Sequence, residues 1–203
     1  MGGREKFVST LDAVFSTPAN DGSKEKSNDM VHEQREMQVM DMGQYAHGNQ
    51  PAQHVIYLYN YAGQPWKTQY WVREAMDKLY QPTPDGYCGD EDNGQTSAWY
   101  VLSSLGFYSV CPGTNEYVIG SPQFKSVKIN LEKGKKIIVN TINNDINNRY
   151  INLMKVNGKP YTKNYLNHEE LLKGAVINID MSNKPNFTRG TGKADFPYSL
   201  SNE

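Results

Sequence analysis

An α+β fold is what this chain predicts, with helical hairpins first and a small antiparallel β region second, and three observations carry the prediction. Apolar residues recur at helical spacing in the first half, as at Phe7, Leu11, Val14 and Phe15. After Gly106 the apolar period drops to two: Val127, Ile129 and Leu131 alternate, then Ile137 and Val139, then Ala175, Ile177, Ile179 and Met181. The helical stretches run to about 10 to 15 residues with short loops between them, which implies antiparallel pairs and fits a bundle or an α/α toroid.

Taken in order, residues 4 to 16 predict an amphipathic helix stopped by Thr17-Pro18. Residues 18 to 29 are rich in Asn, Asp, Ser and Lys and predict an exposed loop. Met30 to Tyr45 is Met-rich and polar, and reads as partly helical and close to a site. His47-Gly48-Asn49-Gln50-Pro51 breaks the chain, with Pro51 placed to open a helix whose inner face is Val55, Leu58, Tyr59 and Ala62 and which Gly63 stops. Pro65 opens another helix, running to Tyr80. Asp85-Gly86 is a turn. In the second half, Glu132-Lys133-Gly134 and Asn157-Gly158 predict tight hairpin turns. The helical part is expected over 1–112, the antiparallel β segment over 113–190 with its strands between 117 and 182, and the polar, Gly-rich end after Asn183, including 191–203, as a loosely held tail.

The chemistry concentrates in Gly89-Asp90-Glu91-Asp92-Asn93-Gly94-Gln95, which runs into a helix with apolar residues at Ala98, Val101, Leu102 and Leu105. Three carboxylates at a loop-to-helix junction meet the free N–H groups of a first helical turn, which favours their ionised form and leaves them able to accept a proton or ligate a hard cation. Plain N-terminal capping and charge-dipole matching account for one or two of them equally well.

Bulk properties narrow the function classes. A formal net charge of −1, with no basic stripe, points away from nucleic acid and membrane surfaces. No apolar run approaches the roughly 18 residues a membrane-spanning helix needs, and no signal peptide opens the chain. Met1-Gly2-Gly3-Arg4-Glu5 reads instead like the interior of a longer protein. Cys88 and Cys111 are too few for a cysteine zinc site and leave free thiols or a single bridge; free, buried thiols are the expectation, since a chain of 203 residues needs no staple. The 14 tyrosines and 3 tryptophans suit a sugar cleft, because such rings stack on C–H faces while their polar edges find partners, but they serve equally as half-buried core.

Four stretches carry a family likeness: Gln44 to Pro51, Tyr57 to Lys67, Pro84 to Gln95 and Gly106-Phe107-Tyr108. Together they closely resemble the C-terminal part of the family 92 glycoside hydrolases, from the first residue to about Pro185-Asn186. The resemblance implies a calcium-dependent, inverting exo-α-mannosidase built from a β-sandwich and an (α/α)6 barrel, of which this chain would hold the last helices and the β segment that follows. It implies Asp92 as the general base with Asp90 as its partner, and a general-acid glutamate in a Glu-Gly-Asn-Ala-Trp type motif that this chain does not contain. The expected partners are therefore a mannose-containing glycan and the missing N-terminal part of the same enzyme, in a periplasmic, cell-surface or secreted setting.

His32-Glu33 resembles the pair that contacts the leaving mannose in α-1,2-specific members; the pair also fits a plain polar helix surface. Many members show Gly-Asn-Glu-Pro where this chain has Asn49-Gln50-Pro51, so Asn49, Gln50 and Asp90 are the expected calcium ligands, with Gln50 supplying an oxygen but no charge. His47 is a candidate sugar contact, and His47 and His54 fit hydrogen-bonded structural histidines just as well. Trp66, Trp71 and Trp99 are expected mainly in the core, and Tyr45 is a further cleft candidate.

Overall fold

The computed structural model describes residues 2–19 and 32–200, with only the backbone of His32 among them. Most of the 18–29 stretch expected as an exposed loop lies outside the described residues. Four longer helices come first: α1 (Gly3–Ser16), α2 (His32–Met40), α3 (Pro65–Leu79) and α4 (Gln95–Leu105). Then come β1 (Phe107–Tyr108), β2 (Glu116–Ile119), β3 (Ser126–Asn130), β4 (Lys136–Ile142), β5 (Tyr150–Val156), β6 (Lys159–Pro160), β7 (Tyr165–Asn167), a one-turn helix α5 (His168–Leu172) and β8 (Ala175–Ser182). The chain groups into two compact units, one of residues 1–55 and 74–99, the other of 56–73 and 100–203.

In the first unit, Leu11 and Phe15 of α1 are buried as the apolar spacing requires, and Phe15 lies 5.3 Å from Tyr45, ring centre to ring centre. The Gln44 amide donates to the Val14 carbonyl at 2.7 Å, and Gly43, at φ +65, admits that approach because a Cβ there would lie 2.5 Å from the Phe15 backbone.

The second unit is built on two sheets. β1, β2 and β7 form an antiparallel sheet of three strands, and a five-stranded sheet runs in the order β3-β4-β8-β5-β6. Both predicted turns form: Lys133 and Gly134 are left-handed between β3 and β4, and Asn157 and Gly158 between β5 and β6. The β region is not wholly antiparallel, because β4 and β8 pair in parallel from Ile137↔Ala175 to Ile142↔Asp180. A hairpin forbids that arrangement. Here the connection passes through β5, β6, β7 and α5 before β8 returns in the direction of β4, the long crossover that parallel neighbours require. Ile137, Val139, Ile151, Met154, Ile177, Ile179 and Met181 meet Phe107, Ile119, Leu166 and Leu171 in one core.

The helix expected to open at Pro51 and stop at Gly63 is instead a 3-10 helix over Val55–Asn60. It is buried nearly all round, at Ile56, Tyr57, Tyr59 and Asn60, so no amphipathic stripe selects the α-helical pitch. Residues 56–73 join the strands because their polar side chains satisfy strand and loop backbone. Asn60 Nδ2 donates to the Ile119 carbonyl at 3.1 Å, Gln69 Oε1 accepts from the Ile151 amide at 2.9 Å, and Arg73 donates to the Pro122 carbonyl at 3.0 Å. The described part of the end after Asn183, residues 184–200, is bound rather than loose. Arg189 is buried and donates to the Lys163 carbonyl at 3.0 Å, the Asn164 amide donates to the Asp195 carbonyl at 2.8 Å, and the Tyr198 amide donates to Glu116 at 2.8 Å. Both cysteines are free, with Cys88 half-buried and Cys111 exposed rather than buried.

Candidate active site

The loop before α4 turns on three successive left-handed residues, Asp92 at φ 48, Asn93 at φ 60 and Gly94 at φ 88. Asp and Asn tolerate that region better than other side chains and glycine enters it freely, so Asp-Asn-Gly is a local sequence suited to this reversal. The Gln95 amide then donates to the Asp92 carbonyl at 3.2 Å and the Thr96 amide to the Glu91 carbonyl at 3.2 Å, opening the helix.

The three acids divide their work. Glu91 closes the helix end: its carboxylate accepts from Ser97 Oγ at 2.9 Å and from the Ser97 amide at 3.4 Å. Asp90 and Asp92 are exposed, and neither carboxylate accepts a hydrogen bond among the described residues. Capping thus accounts for Glu91 and leaves two aspartates unspent.

What holds Asp90 is its backbone. Its carbonyl accepts from Gln50 Nε2 at 2.7 Å and from Thr96 Oγ1 at 3.0 Å, and Thr96 is fully buried. Gln50 follows Asn49 at a short 3-10 turn opened by Pro51, Gln50–Ala52, so its side chain reaches the acidic loop across 40 positions of sequence. The helix face that goes inward here carries Thr96 and Trp99, while Ala98 and Val101 of the expected apolar series are exposed. Polar demand from the loop, rather than aliphatic burial, sets which side of α4 faces in.

His47 sits behind this loop and is fully buried. Tyr45 Oη lies 2.7 Å from its Nδ1 and Tyr80 Oη 2.8 Å from its Nε2, with the Trp99 ring 4.2 Å away edge-on. Burial lowers its pKa to about 3, so the imidazole is neutral, with one nitrogen donating to a tyrosine oxygen and the other accepting from a tyrosine hydroxyl. A side chain so enclosed offers a sugar neither donor nor acceptor; of the two readings of His47, the structure carries the packing one. Tyr45 is buried with it, and Trp99 stacks on Tyr80 in the core. Trp66 and Trp71 are half-buried, Trp66 with its ring 5.1 Å from the exposed Phe187.

Sequence reasoning passed over Glu36. It is buried on α2, one turn after Glu33, and accepts from the Gly48 amide at 2.6 Å. Burial, followed by the charge of Glu36, pushes the Cys88 thiol up to about 12, so Cys88 is a neutral packing group at the root of the acidic loop. The signal was the pair of glycines in the two motifs, Gly48 and Gly89, whose backbones touch there. Glu33 is half-buried in the first turn of α2; the side chain of His32 lies outside the described residues.

As a cation site, the chain brings oxygen donors and no more than one or two charges. Among the described residues there is no group of three or more His, Cys, Asp or Glu that could hold a metal ion. Asp90 and the side-chain oxygens of Asn49 and Gln50 have the hardness calcium prefers and fit part of its shell of six to eight oxygens. Gln50 turns its nitrogen to the Asp90 carbonyl, which directs its oxygen away from that contact. A cavity of about 410 Å³, lined by Phe15, Pro18, Met37 and Asp41 among others, includes none of the three loop acids. No helix among the described residues is long and apolar enough to cross a membrane.

The profile of the glycosyl hydrolase family 92 catalytic domain matches residues 1–183. A family GH92 inverting mannosidase from Bacteroides thetaiotaomicron is 51% identical with a TM-score of 0.84, over 99% of this chain and 27% of its own. A second Bacteroides thetaiotaomicron structure, a family GH92 α-mannosidase, is 37% identical with a TM-score of 0.84, over 98% of this chain and 24% of its own. A secreted glycosidase of the fungus Arthroderma benhamiae is 30% identical over 98% of this chain and 23% of its own length. The chain thus spans about a quarter of the length of the relatives it matches.

Proposed function

The chain belongs to glycosyl hydrolase family 92, and from that premise we propose that it carries the water-activating side of an inverting, calcium-dependent exo-α-mannosidase that releases terminal, α-1,2-linked mannose from glycans. In this reading its helices are the last part of an (α/α)6 barrel, completed by a preceding part of the enzyme that supplies the general-acid glutamate. The enzyme works outside the cytoplasm, periplasmic, cell-surface or secreted. The observation that carries the proposal is the division among the loop acids: Glu91 satisfies the helix end, and Asp90 and Asp92 remain exposed without a structural task.

An inverting mechanism needs one carboxylate to take a proton from water on the face opposite the leaving group, and a carboxylic acid roughly 6.5–9.5 Å away to protonate the departing oxygen. Asp92 is the base and Asp90 its partner in orienting the water; two residues apart, they belong to the same side of the sugar. Asp90 and the side-chain oxygens of Asn49 and Gln50 would hold part of a calcium shell, and the ion would supply a fixed positive charge for the sugar hydroxyls and the water. Glu33 contacts the leaving mannose. His47 serves through Tyr80 and Trp99, as packing beneath the loop.

The test is mannose release from α-1,2-linked mannobiose. The enzyme that includes this chain and the acid-bearing part is expected to release mannose, to stop in EDTA, and to lose release on Asp92→Asn. Activity surviving that substitution moves the base elsewhere. An isolated chain that binds a mannoside or calcium, within an enzyme that never hydrolyses, points to a non-catalytic binding role instead.

A further inference from the structure

The hydrogen bonds that hold the acidic loop converge on one hydroxyl. Thr96 Oγ1 donates to the Asp90 carbonyl at 3.0 Å and accepts from Gln50 Nε2 at 3.2 Å and Gln53 Nε2 at 3.3 Å. A hydroxyl has one proton and two lone pairs, and all three are engaged. The Asp90 carbonyl is engaged on both lone pairs too, because Gln50 Nε2 reaches it at 2.7 Å. Gln53, fully buried, extends the chain of bonds to the His47 carbonyl at 3.4 Å, and Gln95 Nε2 reaches back to the Gln50 carbonyl at 3.3 Å.

We propose that Thr96 and Gln50 are positioning residues, a clamp on the Asp90 carbonyl that sets the directions of the Asp90 and Asp92 carboxylates. The inference rests on the reading of Asp92 as the base. The clamp is needed because, among the described residues, neither aspartate side chain is held by a hydrogen bond, so their orientation enters through the backbone. That backbone includes two non-glycine residues in the left-handed region, a turn that Asp and Asn favour locally and that the clamp ties to the Gln50 segment. In this chain the role is filled by the amide N–H of Gln50. A glutamate there has no N–H to give the carbonyl, whereas a residue that served only as a calcium ligand would serve at least as well as glutamate, so Gln50→Glu separates the two roles.

The experiment compares Thr96→Val, Thr96→Ser and Gln50→Glu in the full protein that carries this chain, reading kcat and KM on α-1,2-linked mannobiose, calcium dependence, and hydrogen exchange of the peptide spanning residues 88–96. Thr96→Val keeps the shape and removes the hydroxyl; it is expected to lower kcat roughly 10- to 100-fold with KM within about twofold, the signature of misplaced groups. The same variant is expected to speed exchange across the loop. Thr96→Ser is expected to restore both, and Gln50→Glu to resemble Thr96→Val without tightening calcium. Thr96→Val with unaltered kcat and exchange overturns the clamp, as does Gln50→Glu that keeps the loop protected and lowers the calcium requirement. Should the unsubstituted protein release no mannose, the base reading fails by itself and loop exchange still decides whether the clamp exists.

Discussion

Gly89 packs against Gly48 so closely that a Cβ on Gly89 would lie 2.6 Å from the Gly48 Cα. Neither glycine is left-handed, so what each position requires is the missing side chain rather than an unusual backbone. The contact joins the His47-Gly48-Asn49-Gln50 turn to the root of the acidic loop, and it explains why both stretches carry a glycine there.

Gly89→Ala is therefore expected to overpack backbone against backbone. Such insertions cost about 1–3 kcal/mol, and a lowered midpoint in urea unfolding checks it. Mannose release is expected to fall further than stability alone explains, because the displaced segment leads straight into Asp90.

Glu91 and Asp92 are expected to give opposite signatures. Glu91→Ala removes the acceptor for Ser97 and is expected to cost about 0.5–2 kcal/mol, the range of a lost helix cap. Asp92→Asn touches an exposed side chain with no hydrogen bond among the described residues, so its stability is expected to stay within about 0.5 kcal/mol of the original while mannose release disappears. Thermal melts and product assays on the same two variants check both.

Arg189 anchors the C-terminal stretch. Its guanidinium is buried, donates to the Lys163 carbonyl and to Asn164 Oδ1, and is lowered to about 10 by burial. Arg189→Ala leaves those acceptors unpaired and opens a cavity, and is expected to cost about 2–4 kcal/mol. Limited proteolysis is expected to cut first within residues 183–200 in that variant.

An alkaline limit to stability follows from the buried tyrosines. Burial raises Tyr161 to about 12, and raises Tyr57, Tyr61 and Tyr80 as well. A phenol whose folded pKa lies above its ordinary 10 contributes stability that is complete below pH 10 and is lost as pH climbs towards the folded value. Tyrosinate absorbance is expected to appear above pH 10 in step with loss of near-ultraviolet circular dichroism. Tyr161→Phe is expected to shallow that dependence.

The local order of this chain was legible from its residues alone. Phe7, Leu11 and Phe15 state a helix because an amphipathic repeat has one way to bury itself, and Asn157-Gly158 states a hairpin because left-handed residues close a two-residue turn. The acidic stretch announced itself by composition, and the four motifs, one of which contains it, by family likeness. Position in space was another matter. Gln50 and Asp90 are 40 residues apart, and no spacing rule reports that an amide nitrogen will meet a carbonyl there. His47 looked as much a sugar contact as a core residue until two tyrosines were found on its two nitrogens. β8 gave no hint that it would lie parallel to β4, since alternation fixes which face is buried and leaves strand direction open. Sequence by itself determined most of the longer helices, the alternating strands, the tight turns between them and where the carboxylates gather, because those follow from short-range sterics and periodicity. Only the tertiary structure decided which acid caps, which are exposed and what holds them, because buried hydrogen bonds are satisfied by whatever donor the fold brings near.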